Sequence, residues 1–289
     1  MPRVTVMPNG VTASCPRFGP PTDTRPRGRV RGWSKQATGR LRRWFYSVDG
    51  EQLDGRAYAL TLTVRELPPS SGDWTATRKA FVERMRRAGM RRLQWLTEWQ
   101  RRGVPHLHGI VYFDADDAPK AESVCDHWLE VADRWRARAE GQHVGEVWGL
   151  TGWLQYQAKH SARGVRHYQR ANVPEGWQEG TGRLWGTSGQ WPIREQLAEV
   201  DMRTFWRFRR LMRSWQLAEA RQAEDYRRVS WVRRSLADPE PRRCACRAIG
   251  QFIPDTLSGD LLMAAAHGDV ELLQAALEPL RNPLPPGSR

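Results

Sequence analysis

One segment constrains the fold more than any other: "MRRLQWLTEWQRRGVPHLHGIVYF", Met90 to Phe113. Two apolar-rich runs flank the connector "RRGV". A connector this short joins antiparallel neighbours, since a parallel pair needs a crossover of about a dozen residues or more. The spacing predicts a hairpin with strands over 89–100 and 104–113. The second strand carries His106 and His108, two of only seven histidines in 289 residues. Residues two apart on a strand share a face, so both imidazoles project together, with α-carbons roughly 7 Å apart from the ~3.3 Å rise per residue. Leu107, Val111 and Phe113 take the other face. In such a hairpin Glu98, near the end of the first strand, sits opposite the histidines.

The flanking sequence extends the sheet. "AYALTLTVR", 57–65, alternates Tyr58, Leu60, Leu62 and Val64 as a strand does. "PPSSGDW" breaks it. Asp73 or Thr75 is placed to cap a helix reaching about Ala88, with Phe81, Met85 and Ala88 on one side and Gly89 to end it. After the hairpin, Pro119 suits the opening turn of a helix over 120–140, and 144–148 reads as a short strand. Thr151 can cap a helix ending near Gly164. The order strand, helix, strand, strand, helix, strand, helix gives an α+β class: a ferredoxin-like or RRM-like antiparallel sheet with helices on one face.

Around this domain, 56–195, the chain changes character. Residues 1–55, rich in Pro, Gly and Arg, read as a basic flexible arm, and 196–236 as a basic helical extension in which Glu195 to Val232 form one or two helices. Residues 237–289 read as a linker, a helical hairpin turning at Gly268 and Asp269, and a frayed end. The hairpin resembles part of an ankyrin-type repeat. One repeat cannot bury its apolar face alone, so it is expected to pack on the body or on a partner.

Lys plus Arg is 46 against 32 acids, a formal net charge of +14. Such an excess selects polyanionic partners, nucleic acid first and an anionic membrane surface second. The predominance of arginine suits bidentate phosphate contacts. Some of the fifteen tryptophans could stack on single-stranded bases, but most are assigned to the core. Cys15, Cys125, Cys244 and Cys246 make no disulfide framework, and "CAC" is too close for the usual zinc spacing, so the chain reads as reduced and cytoplasmic. The N-terminus lacks the signal-peptide pattern, and no stretch approaches the ~18 apolar residues that mark a membrane span. No Gly-x-x-x-x-Gly-Lys-Ser/Thr loop is present, so no helicase function is visible.

Two histidines and a carboxylate are compatible with Mg²⁺, Mn²⁺, Fe²⁺ or Zn²⁺. They would also suit an oxygenase iron site, but that site normally lives in an all-β barrel, and the helical stretches argue against one. A second constellation is "WLQYQAKHSARG", 153–164. On a helix Tyr156, Lys159 and His160 stand at i, i+3 and i+4 and share a face, with Trp153 one turn before. A tyrosine with a pKa near ~10 is a poor nucleophile. A neighbouring cation favours its phenolate, and a metal drains charge from a bound phosphate and holds it in line. Alone, Tyr156 reads equally as a residue packed on the sheet. With a metal pair and a basic chain, it points to phosphodiester transfer.

These motifs carry a resemblance. "YALTLTV" (58–64), "PHLHG" (105–109) and "YQAKH" (156–160) stand in the order found in the HUH superfamily of single-strand endonucleases. The chain resembles its rolling-circle replication initiators over about 55–195. Glu98 stands where many such initiators place an acidic ligand. "RLWGTSGQWP" resembles the segment after the tyrosine in filamentous-phage and related plasmid initiators. His160 departs from the pattern, since many members carry another aromatic there. The resemblance implies the HUH endonuclease fold, with Glu98, His106 and His108 holding Mg²⁺ or Mn²⁺ against the scissile phosphate. Tyr156 would attack to leave a 5′-phosphotyrosine link and a free 3′-OH, and Lys159 would orient the phosphate, help lower the tyrosine pKa or offset charge. Implied partners are single-stranded or supercoiled origin DNA, a host helicase and a host polymerase, in the cytoplasm of a bacterial host of a phage or plasmid. Some members use two tyrosines one turn apart. With histidine at 160 a one-tyrosine enzyme is implied, and Tyr168 in "GVRHYQR" is the alternative nucleophile. His160 and Tyr168 are further candidates for catalysis or DNA contact. The rival readings are a relaxase or single-strand transposase of the same fold, a non-catalytic nucleic-acid-binding protein, and the oxygenase.

Overall fold

The structure, a computed structural model, describes residues 1–14, 28–161, 163–177, 179–236 and 255–268. The chain divides into two units. One is Met1–Asp23, Arg43–Asp49 and Ile193–Arg289; the other is Thr24–Arg42 and Gly50–Pro192.

The unit with the N-terminus begins with "RVTVMPNGVTAS". Alternating Val4 and Val6, a turn at Pro8 and Asn9, and Val11 and Ala13 give a hairpin of β1 (Arg3–Met7) and β2 (Gly10–Ser14). Asn9 secures the turn by donating to the Val48 carbonyl at 2.6 Å. Next comes α1 (Lys35–Ser47), a helix that runs from one unit into the other. The described part of the expected 1–55 arm therefore contains regular structure, because its Arg and Gly content hides a real apolar alternation at Val4, Val6, Val11 and Ala13.

The second unit supplies the candidate site. Its elements are β3 (Arg56–Thr63), α2 (Ser71–Arg87), β4 (Met90–Trp99), β5 (Pro105–Phe113), α3 (Ala121–Ala132), β6 (His143–Val147), α4 (Gly149–Ser161), α5 (Tyr168–Ala171) and β7 (Trp185–Gly189). Among the described residues they form an antiparallel sheet in the order β6-β3-β5-β4-β7. The first four strands follow the ferredoxin-like order expected from the sequence. β7 is an added edge strand, in the segment read only as a motif. Gly186 on β7 pairs with Trp95, where a Cβ would come within 2.9 Å of the indole, so glycine lets the large ring lie flat against the edge.

The expected hairpin has Glu98 paired with His106 and Leu96 with His108, and β3 brings Thr61 beside His108 and Thr63 beside His106. Leu60, Leu62, Leu93, Leu107 and Val111 point to the opposite face, into a core with Phe81 of α2 and Trp128 of α3. The expectation of helices on one face holds for α2 and α3. It does not hold for α4, which lays Tyr156 and His160 against the histidine face.

Three boundaries differ from expectation for local reasons. Ser70, not Asp73 or Thr75, caps α2: its Oγ accepts from the Asp73 N–H at 3.1 Å and donates to the Asp73 carboxylate. The helix expected over 120–140 stops at Ala132 and gives way to 3-10 turns, with Arg136 in the left-handed region at φ 52. α4 starts at Gly149, two residues ahead of the expected cap Thr151.

The chain then returns to the first unit with β8 (Gln196–Glu199), which pairs with β1, in place of the helix expected to start at Glu195. α6 (Met202–Gln222) begins after Asp201, whose carboxylate accepts from the Thr204 N–H at 2.9 Å. α7 (Tyr226–Leu236) and α8 (Asp255–His267) follow. The apolar stripe of α6, including Phe205, Phe208 and Met212, is buried with Val4, Val11 and Leu261. That stripe is core, and α8, the first helix of the expected tail hairpin, packs into it. Cys15, Cys244, Cys246, the linker after α7, the hairpin's second helix and the chain's last residues lie outside the described residues.

Candidate active site

β5 presents His106 and His108 side by side, their ring centroids 4.3 Å apart and both rings buried. Thr61 shares a 3.0 Å hydrogen bond with Nδ1 of His108. Among the described residues, Nε2 of His108 and Nε2 of His106 have no hydrogen-bond partner. One ring nitrogen fixed by a neighbour and the other left open is the arrangement a metal-ligating histidine needs.

Glu98 on β4 is completely buried. A carboxylate taken out of water needs compensating charge, and Arg163 and Arg170 supply it. Arg163 donates through Nη1 to Oε2 of Glu98, and Nε of Arg170 lies 3.3 Å from Oε1. Arg170 is itself buried, stacks over Trp33 at 4.5 Å and donates to the His160 carbonyl at 2.7 Å. Oε2 of Glu98 also lies 3.7 Å from Nε2 of His108 and 3.8 Å from Nδ1 of His160.

α4 brings the tyrosine. Tyr156 and His160 share its inward side one turn apart, with ring centroids at 4.7 Å, and His160 lies 4.6 Å from His108. The rings of Tyr156, His160, His108 and His106 thus make a continuous row. Tyr156 is 8% exposed, and its hydroxyl has no hydrogen-bond partner among the described residues. Lys159 is exposed on the same helix. Tyr168 opens α5, is 43% exposed with the Arg101 guanidinium 5.4 Å above its ring, and lies outside the row.

The ligand atoms of Glu98, His108 and His160 lie within 4.8 Å of one another. The group the structure brings closest is therefore not the expected Glu98, His106 and His108. His160, expected as a candidate for catalysis or DNA contact but not as a metal ligand, enters it, and His106 flanks it. The reason is the helix: i and i+4 put His160 directly below Tyr156, a placement readable from "YQAKH" once α4 faces the histidines. Arg163, Arg170 and Thr61 were not anticipated at all. Arg163 stands one turn beyond Lys159 in "AKHSARG", but Arg170 and Thr61 carry no local signal.

Electrostatics keep the imidazoles neutral. Burial draws His106 down from 6.5 to about 4, against the pull of Glu98. Burial likewise holds His108 well below its ordinary value, helped by the other histidines and Arg163, and it lowers His160 despite contact with Glu98. Burial pushes the Glu98 carboxyl up, but His160, Arg163 and Arg170 outweigh it, so the group lies below its ordinary value and is an anion. Burial and then the Glu98 charge raise Tyr156 well above 10, so the phenolate expected from a neighbouring cation is not the resting form. Open Nε2 atoms on His106 and His108 beside an anionic oxygen make a donor set that fits a divalent cation, while Nδ1 of His160 lies 3.1 Å from Nη1 of Arg163.

Comparison with known proteins gives the family. The chain is 43% identical over 266 residues to a putative replication protein of Xylella fastidiosa (strain 9a5c), covering 88% of this chain and 93% of that one. It is 43% identical over 229 residues to replication-associated protein G2P of Pseudomonas phage Pf3, covering 76% of this chain and 82% of the phage protein. A putative replication protein of Xylella fastidiosa (strain Temecula1) matches at 43% over 261 residues, 86% of this chain and 97% of its own length. The chain belongs to this family of replication proteins. No family model and no solved structure matches it. In this replication protein the likeness covers 88% of the chain, so it extends past the unit that holds the site into the other. Among the described residues no helix is long and apolar enough to cross a membrane.

Proposed function

We propose that this replication protein is a metal-dependent DNA strand transferase that nicks and rejoins single-stranded origin DNA through Tyr156, initiating rolling-circle replication of a phage or plasmid. One observation carries the reading: the Tyr156 hydroxyl, unpartnered among the described residues, is buried in a row of rings whose His160 and His108 group with Glu98. An unsatisfied buried hydroxyl costs about 1–3 kcal/mol, a cost that contact with substrate would relieve.

Glu98, His108 and His160, with His106 beside them, are the residues that would hold Mg²⁺ or Mn²⁺. Such a cation, when bound, draws charge from the scissile phosphate. The remaining work falls to side chains. The Tyr156 oxygen forms the new bond to phosphorus as the 3′ oxygen departs and becomes a 3′-hydroxyl. Burial holds the phenol protonated in the free protein, so losing that proton belongs to the attack: it leaves to solvent as the departing 3′ oxygen takes one up. Arg163 and Arg170 hold Glu98 in place, and exposed Lys159 offers a charge to a DNA phosphate. Return attack by a 3′-hydroxyl restores the diester, so the link conserves bond energy and no nucleotide is consumed.

The test is a covalent adduct. Origin-derived single-stranded DNA with Mn²⁺ is expected to give a denaturation-resistant protein–DNA band that Tyr156→Phe lacks. No band from the parent protein with its own origin overturns the reading. An equal band from the variant moves the nucleophile elsewhere, to Tyr168 first.

A further inference from the structure

The sheet has a second polar feature on the face turned away from the histidines. At the β7 edge, beside α2, a cavity of about 750 Å³ is lined by Arg78, Lys79, Arg86, Trp95, Arg183 and Ser188, among others. Trp95 belongs to the core shared with α2 and α3, three residues along β4 from Glu98, and so faces away from the Tyr156 row.

Arg78 makes the cavity unusual. It is 7% exposed, and its guanidinium stacks 3.6 Å over the Trp95 ring. Among the described residues no carboxylate or hydrogen-bond acceptor meets it. Burial and then Arg183 draw its pKa down to about 10, so it remains a cation in a place that disfavours one. Buried arginines are almost always paired. Glu83 also lines the cavity, but it is engaged by Arg86 at 3.3 Å and Arg87 at 3.9 Å. Arg86 also donates to Ser188 Oγ at 3.0 Å. The lining thus offers an unpaired planar fork, further cations and hydroxyl groups, with no anion to spare.

We propose that this cavity binds a backbone phosphate of single-stranded DNA, as an anchor separate from the tyrosine centre. A guanidinium held over an indole is preorganised to donate two parallel hydrogen bonds to phosphate oxygens. A phosphate held here lies on the sheet face away from Tyr156, so it positions the strand and takes no part in bond exchange. The inference rests on the reading that the protein acts on DNA.

Binding of a labelled single-stranded origin oligonucleotide, followed by fluorescence anisotropy across a salt series, tests it. Lys79 and Arg183 are exposed, so Lys79→Ala with Arg183→Ala leaves the core intact. The double variant is expected to bind roughly ten-fold more weakly near physiological salt, and its slope of log K against log salt to fall by about 0.7, the value for one lost phosphate contact on a single strand. Arg78→Met is expected to weaken DNA binding while leaving the DNA-free melting temperature unchanged or higher, since it removes an unpaired buried charge. Unchanged affinity and slope in the double variant overturn the site. So does loss of inorganic phosphate binding with DNA affinity retained. Adduct formation at saturating DNA separates this inference from the nicking reading. A normal adduct with unaltered affinity removes the cavity and leaves Tyr156 standing; weakened DNA binding without any adduct in the parent does the reverse.

Discussion

The two faces of the site-bearing sheet are equally closed to water and chemically opposite. One buries Leu60, Leu62, Leu93, Leu107 and Val111 against Trp74, Phe81 and Trp128. The other buries Glu98, His106 and His108 against Tyr156 and His160. Each large apolar side chain on the first face contributes about 1.5–3 kcal/mol of burial. The second face also buries Leu96 and Ile110, which share the register of His108, but beside them it carries desolvated ionisable groups, which lower stability unless partnered. Partners exist in Arg163, Arg170 and Thr61, yet among the described residues Nε2 of His106, Nε2 of His108 and the Tyr156 hydroxyl are left open. The first face holds the sheet together; the second is built around atoms that await something else.

The largest effects expected from breaking this contrast are chemical. His108→Ala and His106→Ala should each abolish the covalent adduct, by a hundred-fold or more in rate on the order of a lost metal-centre contact, while circular dichroism stays that of the parent. A fully active His106→Ala protein would confine the centre to Glu98, His108 and His160. Stability changes come next. Trp128→Ala, on the apolar face, should cost about 3–5 kcal/mol in urea denaturation through a cavity. Glu98→Gln should cost a comparable ~3–5 kcal/mol for a different reason, since it leaves Arg163 and Arg170 without their anion. Pairing it with Arg163→Ala should recover part of that loss, whereas Trp128→Ala should not respond to Arg163→Ala.

The two faces should also differ in their response to acid. In metal-free protein the folded pKa of His106, about 4, lies below its unfolded value of 6.5. Between those values the unfolded chain binds the extra proton, so stability falls as pH drops through the window and is fully present above it. The loss from His106 alone should reach roughly 3 kcal/mol by pH 4. Denaturation of His106→Ala should show a shallower acid slope, and Trp128→Ala an unaltered one. The smallest effect is local: Ser70→Ala should cost about 1 kcal/mol by removing the cap of α2.

The same contrast explains what the sequence makes legible. The apolar face announces itself by period two, and Tyr58, Leu60, Leu62, Leu93 and Val111 place β3, β4 and β5 correctly. The Glu98–His106 register follows from the short "RRGV" turn. His160 is legible only in part, because its helical spacing from Tyr156 says what it neighbours on α4 but not that α4 crosses to the histidine face. Arg170 is hidden in the sequence: its link to Glu98 spans 72 residues, and no local pattern encodes such a contact. β1 and β2 are missed for the opposite reason. Their alternation is plain, but the Pro, Gly and Arg around it outweigh it when composition is weighed first.

The central claim is that Tyr156 is the group that takes the DNA strand. Proteolysis of the protein–DNA adduct followed by mass spectrometry tests this most directly. The account predicts a nucleotide 5′-phosphate on the peptide containing Tyr156, and none on the peptide containing Tyr168. A phosphate mapped to Tyr168, or to any residue outside α4, would contradict it.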